Sequence, residues 1–166
     1  MATENLLEGK KVLIVDDEAD VLESLEELLF MCDVSKASSF EEAKKMLETR
    51  DFDIAILDIM GVKGFDLLTL ANKKEIMAVM LTANALSPEN TYRAYEGGAA
   101  SYVPKDEMVH IATYLTDVLE AQKEEKHPWW RWLDRLGSFY NKKFGANWRD
   151  KHEDLWKSVK DHSNGD

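Results

Sequence analysis

Apolar and polar positions in the first 126 residues switch repeatedly between two patterns. Lys11–Val15 (KVLIV) is a short, nearly continuous apolar run, as in a strand buried on both faces. The next apolar residues, Val21, Leu22, Leu25, Leu28 and Leu29, recur at helical spacing. Asp33–Ala37 is a weaker, polar strand candidate, suited to a sheet edge. Ser39 with Glu42 reads as a capping box opening a helix that runs to about Arg50. Residues 54–57 form another buried strand, and Leu67, Leu68 and Leu70 belong to a helix starting after Gly64. Residues 78–81 form a fourth strand. Ser87 followed by Pro88 starts a helix that ends at Gly97 and Gly98. Residues 101–103 form a fifth strand. A last helix opens near Asp106, with Val109, Ala112, Leu115, Val118 and Leu119 on one face. Five β-then-α units predict a parallel sheet with helices on both faces, open and doubly wound rather than a barrel.

Charge changes this picture by dividing the chain. From His127 onward there are eight Lys/Arg and six Asp/Glu, leaving thirteen and twenty-six in residues 1–126. A body at −13 argues against nucleic acid as a direct partner, because phosphate contacts need clustered Lys and Arg. No apolar run approaches the roughly 18–20 residues that cross a bilayer, and residues 1–10 lack the order of a signal peptide. The expected location is cytoplasmic, with no membrane partner. Cys32 is the single cysteine, in an apolar helical stretch, and is expected to act as a buried small hydrophobe. His110, His127, His152 and His162 have no zinc-ligand spacing with it.

In an open parallel sheet, ligands bind outside the carboxyl ends of the strands. Asp16, Asp17 and Glu18 follow the first strand and Asp58 the third; Thr82 follows the fourth and Lys105 the fifth. Any one of these reads as a cap or loop residue. Together, at four strand ends of one sheet, they form a set with its own chemistry. Clustered carboxylates repel in a low-dielectric cleft and call for a cation. Oxygen ligands select a hard one, Mg²⁺ or Mn²⁺. A carboxylate can also act as a nucleophile toward phosphorus, with a lysine and a hydroxyl stabilising the transferring group.

These residues resemble the receiver domain of two-component response regulators, including the single-domain chemotaxis receiver. The matching pieces are VLIVDDE at 12–18, DIAILDIM at 53–60, VMLTAN at 79–84 and EGGAASYVPK at 96–105. The resemblance covers roughly residues 10–125. It implies an α/β, flavodoxin-like sheet in the order 2-1-3-4-5. It implies Asp58 as phosphoacceptor and Mg²⁺ held by Asp17 directly, by Asp16 directly or through water, by Asp58, and by the carbonyl of Met60. It further implies that Lys105 pairs with the phosphoryl group, that the Thr82 hydroxyl moves to bond it, and that Tyr102 follows as an aromatic switch. The phosphoryl donor would be a sensor histidine kinase or a phosphotransfer protein. The domain would catalyse its own phosphorylation without being a turnover enzyme. Three departures stand out: Val62 where the family usually has proline, a loop from Asp58 to Gly64 about two residues short, and Asp106 where a proline usually follows the lysine.

Residues 127–166 form an extension of about forty residues, too few for the usual DNA-binding output domain, and it holds all five tryptophans. Pro128 suits a helix start, with Trp129, Trp132, Leu133, Leu136, Phe139 and Tyr140 at helical spacing; Asn147 can cap a second helix carrying Trp148, Leu155, Trp156 and Val159. These faces are expected to pack on the body or to make a protein–protein contact, most simply a homodimer; a membrane-surface helix is a third reading, disfavoured because Asp134 and Asp150 mix with the basic residues. The rival functions are a haloacid-dehalogenase-like phosphohydrolase and a pseudo-receiver that binds partners without phosphorylation. The hydrolase class places a second Asp two residues after its nucleophile, where this chain has Met60.

Overall fold

A computed structural model describes residues 5–59, 61–82, 88–132 and 135–136. Five strands, β1 (Lys11–Val15), β2 (Asp33–Ala37), β3 (Ile54–Asp58), β4 (Met77–Thr82) and β5 (Ser101–Pro104), form one sheet in the order β2-β1-β3-β4-β5. Every pairing is parallel. The helices are α1 (Ala19–Leu28), α2 (Phe40–Thr49), α3 (Gly64–Lys73), α4 (Pro88–Glu96) and α5 (Ile111–Lys123). This is the expected doubly wound arrangement. The apolar runs account for it: Leu13, Ile14, Ile54, Ile56 and Val79 are buried because helices cover both faces of the sheet. The polar strand Asp33–Ala37 lies at one edge, where its exposed Asp33 and Lys36 stay in water.

Local chemistry sets several boundaries. The Ser39 side chain accepts a hydrogen bond from the Glu42 backbone N–H (3.2 Å), capping α2 as expected. The returning bond differs by one residue: Glu42 accepts from the N–H of Ser38 (2.8 Å), not of Ser39. Gly98, at φ +86°, makes the turn after α4 in a conformation open to glycine. Cys32 is half-buried, and its thiol donates to the Leu7 carbonyl (3.5 Å).

The last helix departs from expectation. Lys105–His110 is a 3₁₀ segment, and α5 begins at Ile111. At three residues per turn, Val109 falls off the face shared by the α5 core residues and is 65% exposed. Ile111 and Tyr114 fill the buried positions with Leu115, Val118 and Leu119.

The described part of the extension joins the same core. Trp129, Trp132 and Leu136 are buried in it: Trp129 meets Tyr95 of α4, Trp132 bonds the Tyr102 carbonyl of β5, and beside them the Trp130 indole bonds the Asp117 carbonyl of α5 (3.3 Å). The Arg135 N–H donates to the Arg131 carbonyl (3.1 Å), continuing the helical spacing seen in the sequence. The expected second helix, with Trp148, Leu155, Trp156 and Val159, lies outside the described residues.

Candidate functional site

The carboxyl ends of β1, β3 and β5 bring four charged side chains together. Asp16 follows β1 and Asp58 ends β3; both are buried, at 1% and 5% exposure. Lys105 follows β5 and reaches back over the sheet. Its Nζ lies 3.0 Å from Asp16 Oδ2, 3.0 Å from Glu18 Oε1 and 3.6 Å from Asp58 Oδ1. Glu18 is the residue before α1, and its backbone N–H donates to Asp16 Oδ1 (2.9 Å). Thr82, the buried last residue of β4, pairs in register with Pro104, next to Lys105. Tyr102 is fully buried in β5. Met60, expected to offer a carbonyl, lies outside the described residues.

Electrostatics follow from this packing. Burial pushes the Asp16 carboxyl above its usual range, against the opposing pull of the Glu18 N–H and of Lys105. For Lys105, burial favours losing the proton, but Asp16, Glu18 and Asp58 outweigh it and hold the ammonium above its ordinary value. One lysine thus serves three carboxylates. Asp16 Oδ2 makes no well-aligned hydrogen bond, and the Lys105 ammonium at 3.0 Å is the cation that stands beside it. A buried carboxylate oxygen held by an ion pair alone is a position where a metal ion can take the ammonium's place. Asp16, Asp17 and Glu18 can each place an oxygen within 4.8 Å of the others. This all-oxygen donor set fits Mg²⁺.

Two contributors escaped the sequence reading. Glu18 was grouped with the acidic residues but not recognised as a lysine partner. Gly61 was not singled out at all. Its N–H donates to Asp58 Oδ2 (3.1 Å), and a Cβ placed on it would collide with the Asp17 carboxylate. Gly61 therefore sits between the two carboxylates with no room for a side chain. Gly64 closes the same loop: its N–H donates to the Ile59 carbonyl (3.1 Å), and a Cβ there would strike the Asp58 backbone. A glycine three residues past a strand-end Asp, in a shortened loop, is the signal that could have found Gly61. Gly61→Ala is expected to leave the fold intact, because the obstructing group is the mobile end of a side chain. Displacing Asp17 should weaken Mg²⁺ binding about tenfold, within the range for disturbing the surroundings of a metal ligand. Mg²⁺ titration by calorimetry checks this, and unchanged affinity would remove Asp17 from the ion's ligands.

Comparison with known proteins settles the family. The family model for the response regulator receiver domain matches residues 12–115. The chain belongs to the response-regulator receiver domain family. A heme response regulator, HssR of Staphylococcus aureus, is 40% identical over 99 residues, which are 56% of this chain and 43% of that protein. The chain thus spans less than half the length of this curated relative. A CheY-like receiver domain protein from Methanospirillum hungatei superposes with a TM-score of 0.64 at 27% identity, covering 70% of this chain and 98% of that one. A response regulator from Chloroflexus aurantiacus gives 0.58 at 28% identity, covering 66% and 96%. The receiver is a signalling module of two-component systems, and such modules work with a histidine kinase or a phosphotransfer partner. The extension lies beyond the matched residues. Among the described residues no helix is long and apolar enough to cross a membrane.

Proposed function

We propose that this receiver is a phosphorylation-controlled switch in which Asp58 takes a phosphoryl group from the phosphohistidine of a sensor kinase or phosphotransfer protein. The observation that carries the reading is the placement of Lys105, within 3.6 Å of Asp58 and 3.0 Å of the buried Asp16. The step is a displacement at phosphorus. A carboxylate oxygen of Asp58 forms the P–O bond while the P–N bond to the donor's imidazole breaks, its electron pair returning to the ring nitrogen. Gly61 holds Asp58 Oδ2, which leaves Oδ1, the oxygen facing Lys105, for the attack. Mg²⁺, held by Asp16, Asp17 and Asp58 with the Met60 carbonyl, would neutralise charge on the phosphoryl oxygens. Lys105 then trades its carboxylate partners for a phosphoryl oxygen, and the Thr82 hydroxyl and Tyr102 follow. Hydrolysis of the acyl phosphate returns the carboxylate and inorganic phosphate, so the domain resets itself and is not a turnover enzyme.

The family assignment sets aside the haloacid-dehalogenase-like hydrolase. The acidic body supports signalling by protein contact in the cytoplasm rather than through nucleic acid or a membrane surface. The test is incubation with a small phosphodonor and Mg²⁺, followed by intact mass. One phosphoryl group is expected on the wild type and none on Asp58→Asn. No uptake by the wild type would favour the pseudo-receiver; uptake by the variant would move the acceptor elsewhere.

A further inference from the structure

The residue that opens α1 does not cap it. Helix starts are usually filled by Ser, Thr, Asp or Asn, whose side chains accept from the first free N–H groups. Here the position belongs to Glu18, and its carboxylate makes no such bond. The backbone around it is nonetheless fixed. Its N–H donates to Asp16 Oδ1 (2.9 Å), and its carbonyl accepts from the N–H groups of Val21 (3.1 Å) and Leu22 (3.3 Å). The side chain turns instead to the crevice, where Oε1 accepts a hydrogen bond from the Lys105 ammonium (3.0 Å). Two carboxylates thus stand at the same distance from Lys105 but hold it differently. Glu18 is exposed and takes a directed hydrogen bond; Asp16 Oδ2 is buried and takes none. Asp58 Oδ1, at 3.6 Å, lies farther off.

Metal and lysine compete for one oxygen. Mg²⁺ on Asp16 Oδ2 and an ammonium 3.0 Å from that oxygen are two cations on one partner, so the lysine must draw back as the ion enters. We propose that Glu18 is a positioning residue that keeps hold of the Lys105 ammonium while Mg²⁺ takes Asp16, so that a bound metal and a lysine beside Asp58 coexist. The inference rests on the reading above in which Asp16, Asp17 and Asp58 hold the ion. Because the directed bond goes to Glu18, the ammonium shifts toward it with that bond unbroken. Without Glu18, the lysine's donors have only Asp16 and Asp58 to turn to, and the metal requires both. The ion would then have to displace a hydrogen-bonded lysine rather than a neighbouring charge. This role sets Glu18 apart from Asp16 and Asp17. All three acids lie close enough to share an ion, but the Glu18 oxygen belongs to the lysine.

A double-mutant cycle in Mg²⁺ affinity, measured by calorimetry on the full chain, tests this. Glu18→Gln keeps the shape of the side chain and is expected to raise the Mg²⁺ Kd about tenfold, as for other residues that support a metal ligand from outside. In a Lys105→Met background the same substitution should raise it by no more than about twofold, the residue of losing one nearby exposed charge. Equal losses in the two backgrounds would make Glu18 a ligand or a plain charge and would overturn the proposal. So would an unchanged Kd where Lys105 is present. Glu18→Asp separates position from charge. Its shorter carboxylate keeps the charge but falls back to the helix start, where aspartate caps. It should bind Mg²⁺ about as weakly as Glu18→Gln, and wild-type affinity would count against the proposal. An exposed ion pair contributes little to stability, so metal-free Glu18→Gln should unfold near the wild-type urea midpoint. A midpoint lowered as far as that of Lys105→Met would mean that Glu18 acts through the fold, which also overturns it. If the wild type binds no Mg²⁺, the metal reading fails and takes the proposal with it, a result distinct from all of these.

Discussion

Lys105→Met is expected to lower the stability of the metal-free receiver by about 3 kcal/mol at pH 7, the range for removing one partner of a buried ion pair. The cost comes from what remains. Asp16 and Asp58 keep their burial, at 1% and 5% exposure, but lose the ammonium that stood 3.0 and 3.6 Å away. Methionine keeps most of the lysine's length, so packing changes little. Urea unfolding should show a lower midpoint with an unchanged slope. Mg²⁺ should return most of the loss, since an ion at a hundred times its Kd adds about 2.7 kcal/mol. The gain should exceed that of the wild type, because the variant's carboxylates no longer share their charge with a lysine. Acid should help as well. Asp16 already sits above its usual range through burial, and without Lys105 it should sit higher still. A raised carboxyl destabilises the fold where it is ionised, and this penalty disappears as pH falls through the raised value. The variant's deficit should therefore shrink on mild acidification. A deficit that responds to neither Mg²⁺ nor acid would mean that Lys105 acts through packing alone.

Trp129→Ala is expected to cost about 3–5 kcal/mol, the range for truncating a fully buried large aromatic residue. The side chain is 1% exposed and its N–H is bonded to the Ala99 carbonyl. Truncation would leave both a cavity and a carbonyl without its donor. For a chain of this size the melting temperature should fall on the order of 10 °C. Trp129→Phe separates the contributions: it keeps much of the packing and should lose about 1–3 kcal/mol for the unmade hydrogen bond. If Trp129→Ala melts like the wild type, the extension is not part of the core. A melting temperature that rises with protein concentration would instead support the homodimer expected from the sequence.

The sheet was legible in the sequence because burial on both faces imposes continuous apolar runs. The strand-end carboxylates were legible because the fold sends every carboxyl end to one crevice. The polar strand Asp33–Ala37 reads as an edge for the same reason in reverse. What stayed hidden was set by close approach or by backbone partners. Gly61 matters through the volume it lacks beside Asp17. Glu18 looks like an ordinary helix start, and only the reach of Lys105 turns it into an ion-pair partner. The 3₁₀ segment Lys105–His110 shifts the helical phase and turns Val109 off the face that the sequence pattern gives it. The tryptophans announced themselves as anchors, but their acceptors are main-chain carbonyls, which leave no trace in residue identity.

The seated extension bears on how this protein resists aggregation. A sheet ends in two strands, and an unguarded edge is a template for pairing with another chain. The β2 edge is guarded by its own charges, Asp33 and Lys36. The β5 edge has no such guard: Ser101, Tyr102, Val103 and Pro104 are all buried and none is charged. Pro104 interrupts the donor ladder at one end. At Tyr102 the Trp132 indole N–H already holds the carbonyl that a foreign strand would bond. A protease cut near Lys126 would uncover a short apolar edge, and the cleaved receiver should precipitate more readily than the intact one.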